Sequence, residues 1–168
     1  VAEVLPRVAS GELHVAFGVT EPDAGTDTTQ IKTRAERDGD EYVINGAKVW
    51  TTKAPHCEMC LLLVRTTPIE ECESRTDGIS LLLVDLQDPA VEITPIPKLG
   101  RNAVVSCEVR YDNLRVPASR LIGDEGKGFR YILDGLNPER VLIASEALGI
   151  GRASIRRASD YAKNRIIF

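Results

Sequence analysis

The chain has 168 residues, which is enough for one full domain and little more. Hydrophobic residues make up 43% of it, so it can bury a core and is not a disordered chain. The formal net charge of −4 excludes a strongly basic surface for nucleic acid or for anionic membranes, although a local cationic pocket for an anionic cofactor is compatible with it. No apolar run approaches the roughly 18 residues of a membrane-spanning helix, so no membrane span is predicted.

Both ends of the chain indicate that it is part of a longer protein. Residue 1 is Val rather than Met, and residues 1–11 lack the charged start and apolar run of a signal peptide. At the other end, residues 166–168 finish a helical pattern on apolar side chains, with no cap or polar tail. We expect a helical element in residues 1–12 to belong to a preceding, truncated domain.

The chain contains four cysteines: Cys57, Cys60, Cys72 and Cys107. The first two form a CxxC pair, but strand-like sequence follows at 61–64, where a redox motif needs the start of a helix. A zinc site needs a second ligand pair, whereas the other two cysteines stand alone. We interpret all four as small buried hydrophobic residues and predict no metal site. Unpaired cysteines are typical of a reducing compartment, either the cytoplasm or, in a eukaryote, the mitochondrial matrix.

The hydrophobic pattern up to Tyr111 predicts a β-domain. Short apolar or alternating runs separated by turn residues indicate about seven strands. They lie within residues 13–19, 31–37, 42–52, 61–65, 79–85, 91–96 and 104–111. Asp38-Gly39-Asp40 predicts a hairpin turn, and Asn45-Gly46 predicts a second turn that breaks the third strand. We expect a compact antiparallel barrel with no helix within 29–52.

The character of the sequence changes at Gly123. Residues 123–128 contain three glycines but lack the Lys-Ser/Thr ending of a phosphate-binding loop, so we interpret them as the turn before a helix. Apolar residues then recur at helical spacing from Phe129 to Ile155, and helix-favouring residues continue to Arg165. One helix over about 126–165 is predicted.

Pro138 lies inside this pattern and removes one backbone donor, which predicts a kink near Asn137. A long apolar helix needs partner helices, which would come from another part of the protein or from another subunit. The predicted fold class is therefore α+β, with a β-barrel-like domain in residues 13–122. One long kinked helix of an incomplete helical bundle follows in residues 123–168.

Two segments carry residues suited to a flat, polar ring. Residues 17–27 (FGVTEPDAGTD) form a strand end that opens into a loop with free N–H groups and hydroxyls. Residues 45–52 place Trp50, the only tryptophan, beside Thr51 and Thr52. Trp50 can cover the face of a ring while a threonine bonds to its edge. From these residues alone the alternative stays open that Trp50 is a core anchor and the loop a plain turn.

These segments resemble the signatures of the acyl-CoA dehydrogenase family. Residues 19–27 (VTEPDAGTD) resemble the family's first signature, and residues 39–52 (GDEYVINGAKVWTT) resemble its hairpin. Shorter matches follow the family's order at residues 5–6, 10–12, 98–100, 116–117, 126–129 and 161–168. The residues that depart from the family pattern are Thr26, Gln30, Asn137 and Ile167.

The resemblance implies a middle β-domain and the first helix of a C-terminal helical domain, from a homotetramer or homodimer with one FAD per subunit. Members oxidise the Cα–Cβ bond of an acyl-CoA thioester, as in fatty-acid β-oxidation. A carboxylate takes the α-proton, the β-hydride passes to flavin N5, and electrons continue to an electron-transferring flavoprotein. Hydrogen bonds to the thioester carbonyl stabilise the developing enolate, and a dry pocket raises the pKa of the carboxylate.

The family pattern also implies roles for individual residues. The cofactor-binding residues would be Phe17, Val19, Thr20, Gly25, Thr26, Trp50, Thr51, Thr52 and Arg165. The residues in contact with the acyl-CoA substrate would be Thr26, Asn137 and Arg140. Arg165 matches an arginine that reaches the FAD pyrophosphate of a neighbouring subunit, so we expect the chain alone to bind FAD weakly. Arg140 can alternatively be a surface ion-pair partner.

The catalytic base has two candidate places. In most members the glutamate lies in the last helices, which would be beyond Phe168. In a minority, such as the isovaleryl- and long-chain-type enzymes, it directly precedes the arginine of the long helix. Glu139 stands at that place in Asn137-Pro138-Glu139-Arg140, so it is the candidate base, and an ordinary helix glutamate is the alternative.

Two other functions stay open. The first is a related flavoenzyme on the same scaffold, such as a nitroalkane oxidase or a flavin-dependent monooxygenase, which reaction with oxygen would reveal. The second is a non-catalytic acyl-CoA-binding or assembly fragment, which would purify without flavin colour.

Overall fold

The structure, a computed structural model, describes residues 3–168 and separates into two compact units, one ending at Tyr131 and the other comprising Ile132–Phe168. A short helix, α1 (Val4–Ser10), comes first, and a long helix, α2 (Gly128–Asn164), comes last. Eight strands lie between them within the described residues: β1 (Val15–Gly18), β2 (Arg34–Asp38), β3 (Glu41–Thr52), β4 (Met59–Arg65), β5 (Ile79–Asp85), β6 (Val91–Pro95), β7 (Ser106–Pro117) and β8 (Leu121–Ile122).

The strands form one mixed sheet in the order β6-β7-β3-β2-β4-β5-β8, and β1 pairs with β4 beside this path. Most neighbours are antiparallel, but β1–β4 and β2–β4 are parallel. Parallel pairing needs a long crossover connection, and the β2–β3 hairpin lies in the chain between β1 and β4. The α+β class with a barrel-like domain and one long helix is confirmed, although the sheet is open and not wholly antiparallel.

The hairpin turn at Asp38–Asp40 is confirmed, since β2 and β3 pair directly across it and Gly39 has a φ of 62°. The second predicted turn, at Asn45-Gly46, is wrong because β3 runs through it without interruption. The pairing of β3 with β7 shifts register here, where the Asn45 Oδ1 atom accepts a hydrogen bond of 2.9 Å from the Asn113 backbone N–H. The turn-forming Asn therefore supports a β-bulge instead of a reversal.

Two smaller expectations also need correction. A 3₁₀ turn at Thr28–Gln30 enters the range that we expected to be free of helix. The Asp27 carboxylate stabilises it by accepting a 3.2 Å hydrogen bond from the Thr29 backbone N–H, which is the geometry of an N-cap. The predicted set of about seven strands also omitted β8. This strand has only two residues, so its sequence carries no periodicity by which it could be identified.

Alternate side chains of the central strands build the core. Tyr42, Ile44, Leu62, Leu82 and Val109 are all fully buried in one hydrophobic cluster. The side-chain period of two along a strand places these residues on the same face of the sheet.

Three of the four cysteines belong to this core, as expected: Cys57, Cys60 and Cys107 are buried, whereas Cys72 is half-buried. Burial disfavours the thiolate and raises the pKa of Cys60 to about 12. A thiol in this environment is a poor nucleophile, in agreement with its interpretation as a small hydrophobic residue.

Thr51 is a polar exception within the core. It is only 1% exposed, and its hydroxyl oxygen has no hydrogen-bond partner among residues 3–168. A buried unpaired polar group destabilises a fold. We predict that Thr51→Val, which keeps the shape and removes the hydroxyl, raises the free energy of unfolding by about 1 kcal/mol.

Urea unfolding of the intact protein without cofactor measures this effect. Thr94→Val, at an exposed position of β6, is the control and should change the stability by no more than about 0.5 kcal/mol. A Thr51→Val protein that is less stable than the wild type would show that the hydroxyl is paired after all.

Helix α2 follows the glycine-rich turn, as predicted, and Pro138 lies inside it without ending it. The kink near Asn137 stays a prediction. Large apolar side chains on the second unit are exposed, among them Val141, Leu142, Leu148 and Ile155. No helix within residues 3–168 has the length and apolar character needed to cross a membrane.

Candidate functional site

A bulge at the end of β3 turns Trp50 outward. Lys48 pairs with Val109 of β7 and Thr51 pairs with Cys107, so β3 has one residue more than β7 between these pairs. Trp50 takes up the extra length with a φ of 62°, a left-handed conformation that is unusual for a large side chain. Its ring is 54% exposed. Trp50 is therefore not a core anchor, and the strained backbone presents it at the surface.

The two threonines after Trp50 face opposite ways. Thr52 is exposed, like Trp50, whereas the side chain of Thr51 points into the core. A ligand on the outer face can therefore meet the ring of Trp50 and the hydroxyl of Thr52 together. Thr51 is buried as a whole residue and pairs with Cys107 of β7, so neither its side chain nor its main chain is open on that face.

The loop after β1 docks beside this bulge. The Val49 backbone N–H donates a 2.8 Å hydrogen bond to the Thr20 carbonyl, which holds the loop against β3 one residue before Trp50. Gly25 and Thr26 are exposed on the loop, and Ala24 between them and Thr20 is buried. The loop is thus anchored at Thr20 and Ala24 and open at its tip.

Phe17 and Val19 lie at the start of this loop. In β1, Ala16 and Gly18 are buried, whereas the side chain of Phe17 faces outward and is partly exposed. Val19 is half-buried. Phe17, the docked loop and the bulge therefore each expose apolar or hydroxyl groups of the kind that suit a flat ring.

An ion pair in the interior fixes the base of this loop. Lys48 is 0% exposed and Glu21 is 6% exposed. The ammonium of Lys48 donates to Glu21 Oε1 at 2.7 Å and to the Val19 carbonyl at 3.0 Å. The carboxylate of Glu21 also accepts from the backbone N–H groups of Lys32, at 2.6 Å, and Thr33, at 2.9 Å.

The environment shifts both ionisable groups. Burial lowers the pKa of Lys48 to about 8, although the Glu21 carboxylate opposes this by favouring the ammonium. Burial also acts to raise the pKa of Glu21, but the charge of Lys48 and the hydrogen bonds from Lys48, Lys32 and Thr33 outweigh it, so the pKa of Glu21 is lowered. Both groups are therefore charged at neutral pH.

Neither Lys48 nor Glu21 was assigned a role by the sequence analysis. The sequence did indicate that Lys48 is buried, because Tyr42, Ile44 and Lys48 are separated by even numbers of residues along β3 and the first two are buried. A lysine in the inward phase of a strand must find a buried partner, since an isolated charge in the core is very costly. Glu21 of the Thr20-Glu21-Pro22 segment, 27 positions earlier in the chain, is that partner.

The second unit carries the residues expected to meet the substrate. Arg140 Nη1 donates a 2.9 Å hydrogen bond to Asn137 Oδ1, so these two predicted substrate residues lie together on α2. Glu139 and Arg140 both line a surface depression of about 500 Å³ along the helix, with Leu136 and Ile143. Arg165 lies beyond the end of the helix and is exposed, with its backbone N–H bonded to the Tyr161 carbonyl.

Two family models match the chain. Residues 16–114 match the family described as "Acyl-CoA dehydrogenase, middle domain", and residues 126–168 match "Acyl-CoA dehydrogenase, C-terminal domain". The first match contains the docked loop and the Trp50 bulge, and the second contains Asn137, Glu139 and Arg140.

Curated relatives and solved structures agree with these matches. The chain is 36% identical to "Acyl-CoA dehydrogenase FadE26" of Mycobacterium tuberculosis over 95% of its own length and 39% of the relative. It is 43% identical to "Acyl-CoA dehydrogenase FadE29" of the same organism over 83% of its length and 35% of the relative. The crystal structure of acyl-CoA dehydrogenase from Geobacillus kaustophilus superposes with a TM-score of 0.87 at 34% identity, covering 99% of this chain and 43% of that one. The chain thus spans less than half the length of these proteins.

Proposed function

The chain belongs to the acyl-CoA dehydrogenase family, and from that premise we propose that its parent protein oxidises the Cα–Cβ bond of an acyl-CoA thioester with the help of FAD. The observation that carries the proposal is the outward-facing Trp50 on its strained bulge. It lies beside the exposed Thr52 and next to the docked Thr20 loop. A large aromatic held at the surface in a left-handed conformation indicates a ligand face, because strain of this kind concentrates at functional sites.

The residues of the first unit fit the ring of a flavin. Trp50 and Phe17 would cover its apolar faces, while the Thr52 hydroxyl and the loop residues Val19, Thr20, Gly25 and Thr26 would bond its polar edge. Thr51, which is buried as a whole residue, would support this surface from beneath and would not touch the ring. When bound, FAD would supply the hydride acceptor that no protein side chain can provide. Arg165 would hold the FAD of a neighbouring subunit.

The residues on α2 would handle the thioester. Asn137 and Arg140, which already bond to each other, would contact the CoA portion. On the first unit, the residue that we propose for substrate contact is Thr26. A carboxylate must take the proton from Cα, and Glu139 is our candidate, with a glutamate beyond Phe168 as the alternative. The donors that surround the thioester carbonyl would stabilise the developing enolate.

We further propose that the parent is a homotetramer or homodimer that passes electrons to an electron-transferring flavoprotein. Its thioester substrate would belong to fatty-acid β-oxidation. The buried, unpaired cysteines support a reducing compartment, either the cytoplasm or the mitochondrial matrix.

We predict that the intact parent protein purifies with FAD and that at least one acyl-CoA thioester bleaches the flavin under anaerobic conditions. A panel of straight, branched and cyclic acyl-CoA thioesters, read by flavin absorbance and by an artificial electron acceptor, tests this. Free CoA is the control and should leave the flavin oxidised. If no thioester bleaches the flavin, the proposed reaction is wrong.

The same experiment separates the alternative functions. A colourless protein that binds acyl-CoA would indicate a non-catalytic role. A yellow protein that reacts with nitroalkanes, or that consumes oxygen in turnover with another substrate, would indicate a related flavoenzyme on this scaffold.

A further inference from the structure

We infer that Lys48 and Glu21 are positioning residues for the flavin: their buried ion pair sets the place of the Val19–Thr26 loop, and through it the affinity for FAD. This inference rests on the proposed function, because it concerns the FAD site of the first unit. Both residues lie within the two family-like segments, but neither was among the predicted cofactor-binding or substrate-binding residues. Both act from inside the domain, since neither side chain is exposed enough to meet a ligand directly.

The first argument is the number of loop groups that the pair holds. Lys48 bonds directly to the Val19 carbonyl and to the Glu21 carboxylate. Glu21 in turn accepts from the backbone N–H groups of Lys32 and Thr33, where the connection from β1 ends and β2 begins. One buried cluster therefore ties together the two ends of the connection between β1 and β2, which contains the loop.

The second argument is the path from this cluster to the ligand face. Lys48 precedes Val49, whose backbone N–H bonds to Thr20, and Val49 precedes the exposed Trp50. The three consecutive residues Lys48, Val49 and Trp50 of β3 therefore hold the ion pair, the loop and the exposed ring, respectively. A change at Lys48 should move both parts of the surface relative to each other.

The third argument is the cost of breaking the pair. Removal of one partner leaves the other as an uncompensated charge in the interior, which is far more disruptive than the loss of a surface ion pair. The remaining group must find new partners or lose its charge, and its present bonds, from Lys48 to the Val19 carbonyl and from Lys32 and Thr33 to Glu21, transmit that change to the loop. FAD affinity should therefore fall by more than the general loss of stability explains.

The experiment measures FAD binding by the intact parent protein after removal and re-addition of the cofactor. The variants are Lys48→Met, Glu21→Gln and the double variant. Val116→Ala is the control for lost stability, because Val116 is buried in the core and pairs with Tyr42 at the other end of β3. The readouts are the FAD dissociation constant, the visible circular dichroism of bound FAD and the melting temperature of the apoprotein.

We expect the dissociation constant for FAD to rise at least tenfold in Lys48→Met and in Glu21→Gln, with altered visible circular dichroism. In Val116→Ala it should stay within twofold of the wild type although the melting temperature falls. The double variant should lose no more affinity than Lys48→Met alone, because the two residues act as one unit.

Lys48→Met and Glu21→Gln proteins that bind FAD as Val116→Ala does would overturn the inference while leaving the proposed function intact. If both single variants fail to fold, the pair is part of the core and the inference is also wrong. A wild-type parent that binds no FAD refutes the proposed function, and this inference with it.

Discussion

Substitution of Glu139 by Gln should slow the reduction of the bound flavin by acyl-CoA by about 10²- to 10⁴-fold. Glutamine keeps the size and shape of the side chain but cannot accept the proton from Cα. Glu139 adjoins Arg140, which is bonded to Asn137, and it lines the same depression on α2. Because those neighbours are unchanged, the affinity for the thioester should change little, and the loss should lie in the rate constant of reduction.

Anaerobic stopped-flow measurement of flavin absorbance gives the rate constant and the substrate affinity separately. Asp134→Asn is a matched control, since Asp134 is an exposed acid of the same helix and its substitution also removes one negative charge. It should reduce its flavin as fast as the wild type. If Glu139→Gln stays within threefold of the wild-type rate, Glu139 is an ordinary helix residue and the base lies beyond Phe168.

Patterns that span many residues were predictable from the sequence, and patterns carried by one or two residues were not. The long periodic stretch after Gly128 predicted a helix and the alternation in residues 31–37 predicted a strand, because many side chains report the same period. Asn45-Gly46 led to an incorrect turn prediction because the same dipeptide is compatible with a hairpin turn and with a β-bulge. The pairing of β3 with β7, which the local sequence does not record, determines that a bulge forms. The order of the sheet, with β4 beside both β1 and β2, depends on long-range pairing that no local pattern records.

The same distinction applies to the candidate site. The segments around Thr20 and Trp50 could be identified from composition and from the family resemblance. The outward direction of Trp50 and the inward direction of Thr51 could not, since they depend on one extra residue in β3 opposite β7. The role of Lys48 is a similar case, because its partner Glu21 lies 27 positions away in the chain. A buried charged residue can be recognised from the sequence only when two things are considered together: that it occupies an inward-facing position of its strand, and that a residue of opposite charge is available as its partner.

The close approach of α2 to strand β5 gives the second large expected effect. Gly128 is the first residue of α2, and a Cβ atom added there would lie 2.6 Å from the backbone carbon of Ser80 and 2.7 Å from the backbone nitrogen of Leu81. Ser80 is fully buried, and its hydroxyl accepts a 2.8 Å hydrogen bond from the Gly126 backbone N–H. Main-chain atoms of a central strand cannot move aside as a flexible side chain can, so Gly128→Ala must displace the start of the helix.

We therefore expect Gly128→Ala to lower the free energy of unfolding by about 3 kcal/mol, in the range seen when a well-packed core is overfilled. Gly135→Ala is the matched control, because Gly135 lies in the same helix and an added Cβ there would have no atom within 4 Å apart from its chain neighbours and the backbone of the helix itself. It should raise stability by about 0.5–1 kcal/mol, since alanine favours the helix over glycine. Urea unfolding of both variants in the intact protein measures these opposite signs. If Gly128→Ala is as stable as Gly135→Ala, the start of α2 does not rest on the main chain of β5.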